Sequence, residues 1–223
     1  MHKPHPMNDN PHSLADLRRE YLQDALRSRD LDANPLAQFN RWLGEARESG
    51  IEDPTAMTLS TTGPDDQPTS RIVLLKGADD DGFRFFTNLG SRKSLDIEVN
   101  PRVSLHFYWD RLCRQVSVLG RAGRLDRSDS AAYFETRPRD SQLASWASCQ
   151  GEPVQGRDIL EKSFMECAEK FDGGEVPLPP DWGGFLVIPE KYEFWQGRPG
   201  RLHDRFIYET DGFGNWGLTR LAP

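Results

Sequence analysis

The sequence predicts an α+β fold, an antiparallel β-barrel with helices at its periphery. Two observations carry this. Short segments alternate apolar and polar residues, and tight turns join them rather than the helices a parallel crossover needs. Amphipathic helical stripes lie before and between these segments without alternating regularly with them. The 223 residues suffice for one domain with a sizeable core, expected at 13–223 behind a disordered tail at 1–12.

Taking the elements in order, Ser13 is placed to cap a helix over 13–29 whose stripe is Leu14, Leu17, Tyr21 and Leu22. A second helix starts after Asn34-Pro35, buries Leu36, Phe39, Trp42, Leu43 and Ala46, and stops at Gly50. TAMTLSTT (55–62) is a strand and Gly63-Pro64-Asp65-Asp66 a turn. SRIVLLKG and FRFFTN then form a hairpin around ADDDG. SRKSLDIEVNP (91–101) is a short helix, because Leu95 and Val99 lie four apart. RVSLHFYWD (102–110) puts Val103, Leu105, Phe107 and Trp109 on one face, and RQVSVLGRAGRLD (114–126) is its antiparallel partner. Helices follow at 128–137 and 139–148, then at 157–171 with a stripe of Ile159, Leu160, Phe164, Cys167, Ala168 and Phe171. GFLVIP, KYEFWQ, RFIYET and NWGLTRL are four closing strands.

A net charge of −7 and a pI near 5.3 argue against a nucleic-acid or membrane-surface binder, and leave room for a local cationic pocket. Cys113, Cys149 and Cys167 form neither a CxxC nor an even set, which argues against a disulfide framework or a zinc site and fits a reduced cytosolic location. No apolar run is long enough to span a membrane. The N-terminal stretch is polar and Pro-rich, unlike a signal peptide, and carries His2, His5 and His12. His106 and His203 are the remaining histidines.

Four segments carry chemistry. In RIVLLK (71–76) the centre is apolar on both faces, so one face meets the core and the other a helix or a second subunit. Arg71 and Lys76 fall on opposite faces unless the strand twists or ends between them; the alternative is a strand flanked by solvated cations. In FTNLGSRKS, Gly90, Ser91, Arg92 and Lys93 stand at the mouth of a helix and suit a phosphate, or else are a capped surface turn. In YFETRPRDSQLASWAS, Tyr133, Arg137 and Ser141 recur every four residues across Pro138, a second anion cradle or surface arginines. In FWQGRPGRLHDR, strand geometry aligns Arg201, His203 and Arg205 on one face beside Trp195. The Arg198-Pro199-Gly200 turn is expected to touch none of these roles. The sequence has no GxGxxG, no P-loop and no spaced Ser/His/Asp set, so the chemistry falls to a cofactor serving a planar phosphorylated ligand.

In order along the chain, RREY, DPTAM, RIVLLK, TNLGSRK, NPRVSL, RQV, TRPRDSQ, EVPLP, WGGF, EFWQG, RLHDR and the final RLAP closely resemble the pyridoxamine/pyridoxine 5′-phosphate oxidases, from about Leu17 to Pro223. The resemblance implies a homodimer of split β-barrels with FMN in a cleft between subunits. It implies FMN contacts from Arg71, Ile72, Val73, Leu74, Leu75, Lys76, Phe86, Thr87, Arg92, Lys93, Gln115, Gln150, Gly151, Trp195 and Arg205. It implies that Lys76, Tyr133, Arg137 and Ser141 hold the substrate phosphate. Arg201, Leu202 and His203 would lie at the substrate ring, with Arg201 and His203 catalytic, and Arg18, Arg19, Glu20 and Tyr21 would fold over it as a lid. The implied reaction oxidises pyridoxamine or pyridoxine 5′-phosphate at C4′ to pyridoxal 5′-phosphate, with O2 as acceptor and hydrogen peroxide as product. Three departures stand out: Phe86 where members often carry Tyr, Gly151 where a Ser is common, and the unusual Arg198-Pro199-Gly200 turn. Two rivals remain at this point, another flavin reductase on the same barrel and a non-catalytic carrier of FMN or pyridoxal phosphate.

Overall fold

A computed structural model of the protein describes Tyr21 and residues 23–223. The expected tail, most of the expected first helix, and Arg18, Arg19 and Glu20 lie outside the described residues. From Gln23 to Arg27 the chain is not helical, and a 3-10 turn follows at Ser28–Asp30. Tertiary bonds take the place of helical ones in this stretch. The Leu26 N–H donates to Asp204 Oδ2 at 3.0 Å, and the Leu26 carbonyl accepts from Arg220 at 2.9 Å, so both groups are engaged far along the chain.

The helix α1 (Pro35–Glu48) forms as the sequence dictates. The Asn34 side chain accepts from the N–H groups of Leu36 and Ala37 at 2.8 and 3.3 Å, and Pro35 stands where no N–H is needed. Phe39, Trp42 and Ala46 are buried, with Phe39 edge-on to Phe83 (4.9 Å between centroids) and Trp42 edge-on to Phe194 (5.3 Å). Each such aromatic contributes about 1.5–3 kcal/mol by leaving water.

The strands are β1 (Ala56–Thr62), β2 (Pro68–Leu74), β3 (Gly77–Asp79), β4 (Gly82–Asn88), β5 (Arg102–Trp109), β6 (Arg114–Arg124), β7 (Trp182–Gln196), β8 (Asp204–Thr210) and β9 (Trp216–Leu221). All pairings among them are antiparallel, in the order β2-β1-β5-β6-β7-β4-β3, with β8 also on β7 and β9 on β8. The sheet curls into a half-barrel around Leu59, Phe83, Phe85, Leu105, Phe107, Val116, Val118 and Phe194. The helices α2 (Arg92–Val99), α3 (Arg127–Glu135), α4 (Arg139–Ala147) and α5 (Arg157–Lys170) complete the fold. A second cluster, Phe134, Leu143, Val176 and Trp182, joins α3 and α4 to the sheet.

Several expectations change. RIVLLK does not pair with FRFFTN: β2 pairs with β1 along its whole length, and the short β3 is the partner of β4. The chain leaves β2 after Leu74, and only the Lys76 N–H reaches across, to the Arg84 carbonyl at 2.8 Å. GFLVIP and KYEFWQ are one strand, β7, which pairs with β6 from Phe185 to Gln196, with Glu190 left out of the ladder. A register shift between Leu119 and Gly120 accommodates Pro189. The other edge of β7 is shared end to end by β4 and β8. In α2 the expected stripe points outward: Leu95 and Val99 are exposed, whereas Lys93, Ser94, Asp96 and Ile97 are buried, since polar bonds rather than apolar spacing seat this helix. On α5, Ile159 and Leu160 are exposed, while Phe164, Cys167, Ala168 and Phe171 pack on the second cluster. Among the described residues no helix is long and apolar enough to cross a membrane.

Candidate active site

A cavity of about 870 Å3 opens between β2, β4, the start of α2, and the α3–α4 corner. Arg71, Ile72, Val73, Leu74, Lys76, Phe86, Thr87, Arg92, Lys93, Gln150 and Gly151 line it, as do Tyr133, Arg137 and Ser141. The end of β2 at Leu74 resolves the opposition of Arg71 and Lys76, because the chain turns before Lys76 and both reach the same space. Leu75 is the exception in that run: its side chain is buried in the core.

Local bonding explains the α2 mouth. The Ser91 hydroxyl does not cap the helix. It donates to the Asn88 carbonyl at 2.7 Å, where the Ser94 hydroxyl also donates at 2.8 Å. Lys93 is 8% exposed, and its Nζ donates to Thr87 Oγ1, Ser91 Oγ and Gln150 Oε1 at 2.9–3.0 Å. All three are neutral acceptors. Burial, then the nearby Arg71 charge, presses the Lys93 ammonium down to about 8. A cation that has lost water and gained no carboxylate is suited to an anionic ligand.

The second cradle forms although Pro138 breaks the helical register. Tyr133 comes from α3, Arg137 from the corner and Ser141 from the first turn of α4. Phe86, Tyr133 and Trp182 stack nearly parallel, with Phe86–Tyr133 centroids 4.0 Å apart and Phe86–Trp182 5.6 Å. Arg137 lies 4.7 Å over the Trp182 ring, and its Nη1 donates to Ser145 Oγ at 2.7 Å. Burial lowers its basicity. Trp182, Thr136 and Ser145 were not named as site residues from the sequence, although all three stand in segments that were read, WGGF, TRPRDSQ and YFETRPRDSQLASWAS.

The remaining expected residues lie elsewhere. Gln115, Trp195 and Arg205 are in register across β6, β7 and β8, and they share one sheet face outside the cavity. Arg205 Nε donates to Glu193 Oε1 at 2.7 Å. Arg201 and His203 are not on a strand with Arg205. Arg201 ends a 3-10 turn at Pro199–Arg201 with φ +60, and β8 begins only at Asp204, because Pro199 and Gly200 break the extended run. His203 packs with Trp195 (4.6 Å between centroids) and Tyr21 (5.4 Å). The Arg198-Pro199-Gly200 turn does touch a candidate role: the Arg198 N–H donates to His203 Nδ1 at 3.0 Å. Nδ1 is therefore the acceptor, and the neutral ring carries its proton on Nε2. Burial and the Arg201 charge hold His203 below its ordinary value, which favours that neutral form. Leu202 and His203 line a smaller cavity of about 390 Å3 with the C-terminal Arg220–Pro223 segment. Among the described residues no group of His, Cys, Asp and Glu could hold a metal.

Residues 43–171 match the family model described as pyridoxamine 5′-phosphate oxidase, and residues 182–223 match the pyridoxine 5′-phosphate oxidase C-terminal dimerisation region. The chain is 53% identical to the pyridoxine/pyridoxamine 5′-phosphate oxidase of Rubrobacter xylanophilus over 94% of its length and 96% of that protein's. It is 52% identical to the protein of the same name from Edwardsiella ictaluri over 96% and 99%. Among solved structures, PhzG from Burkholderia lata 383, in complex with tetrahydrophenazine-1-carboxylic acid, superposes with a TM-score of 0.84 at 30% identity, covering 90% of this chain and 98% of that one.

Proposed function

The chain belongs to the pyridoxamine 5′-phosphate oxidase family, and on that premise we propose how its residues oxidise pyridoxamine and pyridoxine 5′-phosphate to pyridoxal 5′-phosphate. The observation that carries the reading is one cavity holding two separate anion cradles, Arg71/Arg92/Lys93 on one side and Tyr133/Arg137/Ser141 on the other. A phosphorylated cofactor and a phosphorylated substrate need two such cradles.

FMN fits the first cradle on the chemistry of its donors. Lys93 has only neutral partners, and Arg71 and Arg92 line the same wall, so a phosphate dianion supplies the missing charge. FMN, when bound, would supply the oxidising power for oxidation at the substrate's C4′, with O2 as the final acceptor. The protein binds, orients and shields. Arg137, preset over Trp182 and by Ser145, holds the substrate phosphate together with Tyr133 and Ser141. Lys76, which lines the same cavity, would be a further donor to that phosphate.

Gln115, Trp195 and Arg205 complete the flavin site, and Arg201 and His203 the substrate site, from the second subunit of a homodimer. Two features support this: the C-terminal segment matches a dimerisation region, and β2 presents Ile72 and Leu74, 64% and 40% exposed, at the cavity wall. His203 then offers its Nε2 proton to a ring substituent, and Arg201 fixes the ring and meets developing negative charge. Tyr21, edge-on to Trp195 and His203, covers that end.

The test is direct. Purified protein is expected to be yellow and, given either phosphate ester in air, to form pyridoxal 5′-phosphate and hydrogen peroxide. A yellow protein inert to both esters returns the reading to a reductase or carrier. A colourless protein that refuses added FMN removes the cofactor assignment.

A further inference from the structure

Asp96 is a buried carboxylate without a role in the site as described so far. It sits on α2 with its side chain 1% exposed and does not line the cavity. Its Oδ2 accepts from the hydroxyls of Thr61 at 2.8 Å and Thr69 at 3.3 Å, and its Oδ1 accepts from Arg92 Nε at 2.6 Å. A hydroxyl has one proton. With both protons turned to the carboxylate, the two threonines present lone pairs to Arg71, whose Nη1 and Nη2 donate to Thr61 and Thr69 at 2.7 and 2.6 Å. The second Nη1 proton goes to the Leu59 carbonyl at 3.3 Å. What is left of the Arg71 fork, Nε–H and one Nη2–H, has no partner among the described residues and is held in place.

The backbone makes room for this cluster. A Cβ at Gly63 would lie 2.5 Å from Asp96 Oδ1, 2.9 Å from Arg92 Nη2 and 3.2 Å from Asp65 Oδ1. Asp65 in turn accepts from Arg92 Nη2 at 2.9 Å. Burial pushes the Asp96 carboxyl up, yet the hydrogen bonds from Arg92 and Thr61 hold it below the usual carboxylate value, so it is an anion at neutral pH.

We propose that Asp96 is a positioning residue for recognition of the cofactor's phosphate: one oxygen holds Arg92 directly, the other aims Arg71 through Thr61 and Thr69. The inference rests on the FMN reading above. Two arginines fixed by a shared carboxylate lose little further freedom when the anion arrives, and their mutual repulsion is offset beforehand.

FMN and riboflavin, which lacks the phosphate, separate this role from a merely structural one. Binding of each is measured by flavin fluorescence quenching in the wild type and in Asp96→Asn, Thr61→Val and Thr61→Ser. Asp96→Asn and Thr61→Val are expected to weaken FMN about tenfold, the worth of one charge-assisted hydrogen bond, while riboflavin binding stays level. Thr61→Ser, which keeps the hydroxyl, is expected to bind FMN like the wild type. Equal losses for both flavins, or no loss for FMN, would overturn the proposal. If Asp96→Asn fails to fold, the contrast between Thr61→Val and Thr61→Ser still decides. A wild type that binds neither flavin would overturn the FMN reading itself.

Discussion

Lys93 is a cavity residue whose chemistry the fold alters directly. With its ammonium pressed down to about 8, the free protein holds the charge below that pH and loses it above. Phosphate binds the charged form, so FMN affinity should hold level toward neutral pH and fall as pH rises through about 8. Lys93→Met should bind weakly and lose that pH dependence, which a fluorescence titration at several pH values would check. For His203 and Arg201 the expectation differs. His203→Ala or Arg201→Ala should lower turnover roughly a hundredfold, as loss of one preorganised donor does, while the flavin absorbance of the purified protein is retained. Loss of the flavin in either variant would reassign them as cofactor ligands. At this scale the sequence was most legible, because charge, planarity and hydroxyl chemistry are intrinsic to Arg71, Arg137, Ser141 and Lys93. Asp96 and Trp182 were not, since the fold brings Thr61 and Arg137 to them from distant segments, and Arg198 was not, because its bond to His203 is made by the backbone of the turn rather than by its side-chain type.

Elements were legible where local signals agreed with tertiary ones. Asn34-Pro35 set the start of α1, and strict alternation set β5 with its faces, next to its antiparallel partner β6. The failures come where a distant partner decides. Leu26 is tied to β8 and β9 side chains, β2 pairs backward with β1 rather than forward with β4, and β7 runs through Pro189 because β6 shifts register opposite it. β7 also carries an element-scale constraint on the site. A Cβ at Gly184 would lie 2.6 Å from the Phe86 ring and 2.7 Å from Leu125, and Phe86 stacks on Tyr133. Gly184→Ala should therefore cost about 1–3 kcal/mol of stability by overpacking. It should also raise KM for the phosphate esters more than it lowers kcat, which urea unfolding and steady-state assays would separate.

At the scale of the whole molecule, the candidate site is divided between a cavity and a sheet face that one chain does not bring together. The apolar second face of RIVLLK and the family resemblance pointed to a site between subunits, but no motif showed where one part ends and the other begins, since Gln115 falls among the cavity residues along the chain. Ile72, exposed at the cavity wall, should report on it: Ile72→Arg is expected to shift the protein from dimer to monomer in light scattering and to release the flavin. The division also makes a statement about inheritance. If Arg71 and His203 serve one active site from different copies, a chain disabled at Arg71 and a chain disabled at His203 are both inert alone, yet they complement each other. Random pairing makes about half the dimers mixed, and each mixed dimer unites the two intact halves at one of its two sites, so coexpression should restore about a quarter of the activity. Two defective alleles would then sustain what neither sustains by itself.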